Sequence, residues 1–258
     1  MSDPVLHHTV SGQGEPLILL HGLFGMSDNL TSVARLLSGY FTVYCLDLRN
    51  HGRSFRADSM RFEEMATDVL AFMDNHDIPK AHLLGHSLGG KVAMQLALMA
   101  PERVMRLVVA DIAPVAYRGN HDEVFAGLNA LDLDNLVSRR DAEEVLKQHI
   151  EEQGVRLFIL KSLARSKAGA FSWRLNIEGI QASYNDLRAG LDSPQPFTGP
   201  TLFIKGELSP YIQTDHREDI ERLFPQARLK IIQNTGHWLH TEKPVAFNNV
   251  VKQFLTAN

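Results

Sequence analysis

Ala81-His82-Leu83-Leu84-Gly85-His86-Ser87-Leu88-Gly89-Gly90-Lys91 is the stretch on which the reading of this chain turns. A short apolar run, Ala81 to Leu84, enters Gly85-His86-Ser87-Leu88-Gly89, and a helix-compatible run, Lys91 to Ala100, leaves it and stops at Pro101. A serine in that setting sits at a strained strand-to-helix corner. Glycines two positions either side let the strand and helix approach, and the strain lifts the hydroxyl into a cleft. The pattern is short, so its meaning depends on what the rest of the chain supplies.

The chain has 258 residues, 44% hydrophobic and 22% charged, with a formal charge of -4. That length suits one large domain carrying an insertion, and the charge leaves no basic footprint for nucleic acid. No apolar run reaches the roughly 20 residues of a membrane helix, and the N-terminus lacks a basic region followed by an apolar one. No membrane insertion and a cytoplasmic location are expected. The single cysteine, Cys45, lies inside an apolar run and reads as a buried structural thiol.

Outward from the serine, short apolar runs alternate with amphipathic ones, the pattern of an α/β fold with a mostly parallel sheet. Strands are predicted at Leu17 to Leu20, Phe41 to Leu46, Ala81 to Leu84, Val104 to Ala110, Thr201 to Lys205 and Ala227 to Ile232. Phe62, Met65, Ala66, Val69, Leu70 and Met73 repeat at helical spacing, which predicts a helix over 62–76 with one buried stripe. A last helix is predicted from Pro244, carrying Val245, Phe247, Val250, Val251 and Phe254.

The alternation fails between Ala113 and Pro200, a span too long for a plain loop. Helices are predicted at Asp122 to Leu131, Arg140 to Gln153 and Val155 to Ser162, followed by an irregular stretch, with no strand. The expected organisation is a core of residues 1–113 and 199–258 with a helical cap, 114–198, inserted after the strand that ends at Asp111.

Acyl transfer at neutral pH needs a base for the serine proton, an acid to orient the base, and donors for the oxyanion. His237, in Thr235-Gly236-His237-Trp238 just after the last predicted strand, is the best placed of twelve histidines to serve Ser87 as base. His21-Gly22-Leu23-Phe24-Gly25 directly follows the first strong strand. There the N–H of Leu23, with that of Leu88 after the nucleophile, is predicted to form the oxyanion hole.

With these residues in view the chain resembles the α/β-hydrolase superfamily over nearly its whole length. The matching elements are His21-Gly22, the loop Asp47 to Ser54, Gly85 to Gly89, and Gly236-His237 with Glu242 and Pro244. Leu46 to Gly52, Gly85 to Lys91 and Asp111-Ile112-Ala113-Pro114 look most like small bacterial esterases of the YbfF type. The resemblance implies an α/β-hydrolase fold and a serine esterase or thioesterase acting on short to medium acyl groups, with no cofactor. The same machinery also serves carbon–carbon bond hydrolysis and cofactor-free perhydrolysis, and a hydrolase-fold receptor that only binds ligand is a further alternative.

One position departs from that family's common pattern. Many members carry the acid a few residues after the strand that follows the cap; here the loop reads Gly206-Glu207-Leu208-Ser209-Pro210, with Ser209 at that place. A serine cannot hold an imidazolium by charge, so it ranks as a possible accessory. Asp111, ending the strand after the nucleophile helix, is the expected acid; it keeps the Ser, Asp, His order, and Glu207 is the reserve.

Other patterns compete. Gly85 to Lys91 spells the start of a phosphate-binding loop, but Val92 replaces the hydroxyl that would hold magnesium. His82 with His86, and His237 with His240, invite a metal reading, yet no cysteine or carboxylate cluster completes a site, and no metal requirement is expected. Asn50 and Gly52 in the Asp47–Ser54 loop suit a tight structural turn. Phe125, Phe158, Phe171, Trp173 and Tyr184 either line an acyl pocket or hold the cap together, and Arg118, His121 and Arg174 either meet an anionic substrate group or face solvent. The expected partner is a small acyl ester or thioester. Oligomeric state is not legible.

Overall fold

The computed structural model describes residues 5–257; residues 1–4 and 258, the outer ends of the expected core segments, lie outside it. Its strands are β1 (His8–Ser11), β2 (Glu15–Leu20), β3 (Phe41–Leu46), β4 (Ala81–His86), β5 (Val104–Ala110), β6 (Leu163–Arg165), β7 (Phe171–Trp173), β8 (Thr201–Gly206) and β9 (Ala227–Ile232). Its α-helices are α1 (Thr31–Leu37), α2 (Phe62–Asn75), α3 (Leu88–Met99), α4 (Asp122–Ala130), α5 (Arg139–Leu146), α6 (Gln153–Leu160), α7 (Ile177–Ala182), α8 (Tyr184–Leu187), α9 (Arg217–Leu223), α10 (Leu239–Glu242) and α11 (Pro244–Leu255).

Seven strands form one sheet in the order β1-β3-β2-β4-β5-β8-β9, parallel throughout except for β1 against β3. Successive side chains of a strand face opposite sides, so each central strand feeds two cores. Ile18 and Leu20 pack with α2 and α3, while Leu17 and Leu19 pack with α1 and α11. All four are fully buried, which is why a covered parallel strand reads as an unbroken apolar run. The expected α/β-hydrolase fold is therefore the observed one.

The six predicted strands all lie in this sheet. β1 had no such signal: its Val10 is 56% exposed, and an edge strand with little to bury carries little hydrophobic pattern. The 62–76 helix is α2, with Phe62, Met65, Ala66, Val69 and Met73 buried and Leu70 at the margin. In α11 the buried residues are Phe247, Asn248, Val251 and Leu255, whereas Val245, expected in the stripe, is exposed.

Between β5 and β8 the prediction needs two corrections. The chain there contains a strand pair, β6 with β7, in antiparallel register with Leu163 opposite Trp173. Three-residue strands are too short to declare a period. The helix predicted over 140–153 stops at Leu146, and α6 begins at Gln153. The buried guanidinium of Arg156 accounts for the break, donating to the carbonyls of Ile150 (2.8 Å) and Glu151 (2.6 Å) and so holding the chain out of helical geometry. No helix among the described residues is long and apolar enough to cross a membrane.

Candidate active site

Ser87 joins β4 to α3 with φ 53° and ψ −118°, a conformation that L-residues avoid and that costs on the order of 1–3 kcal/mol. Its N–H donates to Ala110 O at 3.0 Å, tying the corner to the end of β5. The flanking glycines are steric necessities. A Cβ on Gly85 would lie 2.1 Å from Gly89 O, and one on Gly89 would lie 2.3 Å from Leu20 O. α3 starts at Leu88, earlier than the sequence pattern suggested, because the helix follows the corner without a spacer.

The strained serine lines a cavity of about 610 Å³, together with Gly22, Leu23, Leu88 and His237. Asp111, fully buried just beyond β5, accepts from His237 Nδ1 at 2.7 Å on Oδ2 and from Gly206 N–H at 2.9 Å on Oδ1. The bond to Asp111 keeps the ring proton on Nδ1 and leaves the Nε2 lone pair free. Ser209 donates its hydroxyl to the same Oδ2 of Asp111, not to the imidazole. Glu207, the reserve acid, accepts from Asn234 N–H at 2.8 Å instead.

The backbone of His237 is held as firmly as its ring. Glu242 accepts from Gly236 N–H (2.8 Å) and Trp238 N–H (3.2 Å), bracketing it, and His86 Nε2 donates to its carbonyl at 2.8 Å. Burial, with His240 and His237 alongside, pushes His86 well below the ordinary histidine range, so it serves as a neutral donor.

Leu88 is the first residue of α3, so no carbonyl of its own helix reaches its N–H. Leu23 stands in a turn closed by Gly25 N–H to Gly22 O at 3.0 Å, with Phe24 at φ 61°. Two buried histidines fix that turn. His51 donates from Nδ1 to Arg49 O (2.9 Å) and accepts Phe24 N–H on Nε2 (3.2 Å). His21 donates from Nδ1 to Gly22 O (2.8 Å) and accepts Leu48 N–H (3.0 Å). Burial and the neighbouring His21 lower His51 to about 3, so it stays neutral and keeps its acceptor nitrogen. His21-Gly22 stands out in the sequence as a motif, whereas the one local hint of a role for His51 is its histidine character beside a glycine turn.

The loop carrying His51 has the structural role its composition suggested. Asp47 accepts from Ser27 N–H (2.6 Å) and Arg53 N–H (2.9 Å), and Arg49 clasps Asp68 of α2 at 2.6 and 2.9 Å. Asn50 Oδ1 accepts from Asn176 Nδ2 at 3.0 Å and Asn50 O from Asn176 N–H at 2.9 Å, linking the loop to the segment between β5 and β8. Cys45 is buried, its thiol pushed up to about 12 by desolvation.

Lys91, the lysine of the competing phosphate-loop pattern, is turned to protein. Its ammonium donates to the carbonyls of Val115 (2.8 Å) and Ala189 and faces the rings of Phe62 and Tyr117. His82 pairs with Glu15 at 3.1 Å near the start of β4, away from His86 at its end. Among the described residues no group of three or more His, Cys, Asp or Glu is placed to hold a metal ion. Phe158 and Tyr184 line the cavity, while Phe125, Phe171 and Trp173 are buried in the core. Arg118 and His121 also line it; Arg174 instead lies 3.7 Å from Asp28.

The sequence matches the alpha/beta hydrolase fold family over residues 15–244. It is 39% identical to "Esterase YbfF" of Escherichia coli (strain K12), covering 93% of this chain and 92% of that protein. It is 38% identical to "sn-1-specific diacylglycerol lipase ABHD11" of Mus musculus, over 93% of this chain and 80% of that one. Among solved structures, "Marine microorganism esterase" superposes with a TM-score of 0.95 at 38% identity, covering 98% of this chain and all of that one. A parallel sheet with a strained serine at the end of its fourth strand, and full-length likeness to esterases, agree: the chain belongs to the α/β-hydrolase family, grouping with the YbfF-type carboxylic ester hydrolases.

Proposed function

We propose that the enzyme hydrolyses short to medium acyl esters or thioesters through an acyl-enzyme on Ser87. The observation that carries this is the 2.7 Å bond from His237 Nδ1 to buried Asp111, at the same cavity as the strained Ser87. Ser87 Oγ attacks the substrate carbonyl carbon while His237 Nε2 takes its proton, and Asp111 stabilises the imidazolium. The N–H groups of Leu23 and Leu88 donate to the oxyanion, each worth about 10²–10³ in rate. Collapse of the tetrahedral intermediate expels the alcohol or thiol, which takes the proton from His237. Water, deprotonated by the same nitrogen, then releases the carboxylic acid.

Residues 114–198 act in this reading as a cap over the core formed by 1–113 and 199–258. Their apolar contribution to the cavity wall, Val124, Ile150, Val155, Phe158 and Ile159, suits an acyl chain. The relatives named esterase and diacylglycerol lipase support a neutral ester as substrate. The direct test is covalent labelling by a fluorophosphonate. Wild type is expected to label at Ser87 and Ser87→Ala not to label; a folded wild-type protein that fails to label overturns the proposal. Initial rates on nitrophenyl esters of increasing chain length, with acyl-CoA thioesters in parallel, then read acyl length and the ester preference.

A further inference from the structure

The ring of His237 has a neighbour that the triad reading leaves without a task. Tyr211 stacks on the imidazole with centroids 4.2 Å apart and planes inclined by 28°, and both residues line the cavity. Resting on the reading of His237 as base, we propose that Tyr211 is a positioning residue: its ring face fixes the orientation of the imidazole and stabilises the imidazolium formed during acyl transfer.

Tyr211 is itself held at three points. Its N–H donates to Ser209 Oγ at 3.3 Å, its carbonyl accepts from the hydroxyl of Tyr117, and its phenol oxygen accepts from Asn120 Nδ2 at 3.3 Å. Ser209 also donates to Asp111, and Lys205 Nζ donates to Ser209 O at 2.6 Å. One short loop after β8 therefore holds the carboxylate at Ser209 and the imidazole at Tyr211, two residues apart. The two main-chain bonds, to Tyr117 and Ser209, fix the backbone of Tyr211, and the bond from Asn120 fixes the tip of its ring beside His237.

An aromatic face carries negative quadrupole density, so it favours the protonated imidazole over the neutral one. The other titratable groups around His237 come from several elements: Asp111 beyond β5, His86 of β4, His240 of α10 and His121 before α4. Burial lowers His121 and His240 to about 4 and His86 well below its ordinary range, so near neutral pH these three are uncharged. The charged carboxylates by His237 are then Asp111 on its ring and Glu242, which brackets its backbone, while Tyr211 supplies the aromatic face.

The test uses the whole 258-residue chain. The acid limb of kcat/KM against pH on a nitrophenyl ester, and of fluorophosphonate labelling of Ser87, is measured for wild type, Tyr211→Leu and Tyr211→Phe. Leucine keeps the wall apolar but removes the π face. The expected result is an acid limb displaced downward by roughly half a pH unit in both measurements, with kcat reduced about tenfold and KM changed less. Phenylalanine, which keeps the face, is expected to recover the limb and most of kcat. An unmoved limb in Tyr211→Leu, a loss confined to KM, or a Tyr211→Phe that behaves like leucine overturns the proposal. Thermal melts check folding, and Tyr211→Ile carries the same comparison if the leucine variant does not fold. Wild-type labelling at Ser87 is read separately: its absence defeats the hydrolase reading, whereas labelling with no shift defeats only the role of Tyr211.

Discussion

Asp111→Asn changes a single atom type, and the geometry dictates how the amide must sit. Asp111 Oδ1 accepts the Gly206 N–H at 2.9 Å, so an amide nitrogen there would set donor against donor. The NH₂ therefore takes the place of Oδ2, facing His237 Nδ1 and the Ser209 hydroxyl. Ser209 can rotate its proton away and accept, but the imidazole cannot. Its proton moves to Nε2, where the lone pair for the Ser87 hydroxyl is needed. The same exchange in a serine-protease triad costs about 10⁴ in kcat, equivalent to about 5.5 kcal/mol of transition-state stabilisation. Ser209→Ala removes only one of three donors to the carboxylate, and a loss of about tenfold or less is expected. Initial rates on a short nitrophenyl ester, normalised by thermal melts that show both variants folded, read the contrast. Asp111→Asn within tenfold of wild type, or Ser209→Ala as damaging as Asp111→Asn, would refute the assignment.

Three further outcomes follow from specific contacts. Burial lowers Lys91 from 10.5 to about 7. Between those values the unfolded chain binds more protons at this site than the folded one, so its contribution makes stability rise with pH across that window. Urea midpoints at pH 6.5, 8.5 and 10 should show wild type gaining on Lys91→Met, and parallel curves would contradict this. His51→Ala leaves the Phe24 N–H without its acceptor, at a cost of about 1–3 kcal/mol in urea unfolding, and lowers kcat more than it raises KM; unchanged kcat would detach His51 from the oxyanion turn. Gly89→Ala drives a methyl to 2.3 Å from Leu20 O and is expected to lose folded protein or all activity, whereas Gly39→Ala, with nothing within 4 Å, is expected to melt as wild type. A folded and active Gly89→Ala enzyme would show that the corner can relax.

The candidate catalytic residues are legible where chemistry and local backbone demand the same thing. Gly85 and Gly89 announce a corner that no larger residue fits, and the apolar runs of β2, β4 and β5 declare strands covered on both faces. Ser87, His237 and Asp111 stand at or just beyond strand ends, where Ser87 and His237 reach the cavity and Asp111 lies buried behind the imidazole. What stayed hidden arises between elements distant in sequence. The β6–β7 hairpin is too short to show a period, and the break before α6 depends on where the guanidinium of Arg156 finds carbonyls.

The sequence alone determined the parallel sheet and the place of the strained serine, because these rest on local periodicity and on steric rules a few residues wide, and it offered His237 and Asp111 as candidate base and acid. The tertiary structure decided which neighbour does what. It gave Ser209 to the carboxylate and not to the ring, set His51 behind the Gly22–Gly25 turn, laid Tyr211 on the imidazole, and spent Lys91 on two backbone carbonyls. Each of those contacts joins residues brought together by the packing of separate loops and helices, and hydrogen-bond and ring-stacking geometry is fixed only once that packing exists.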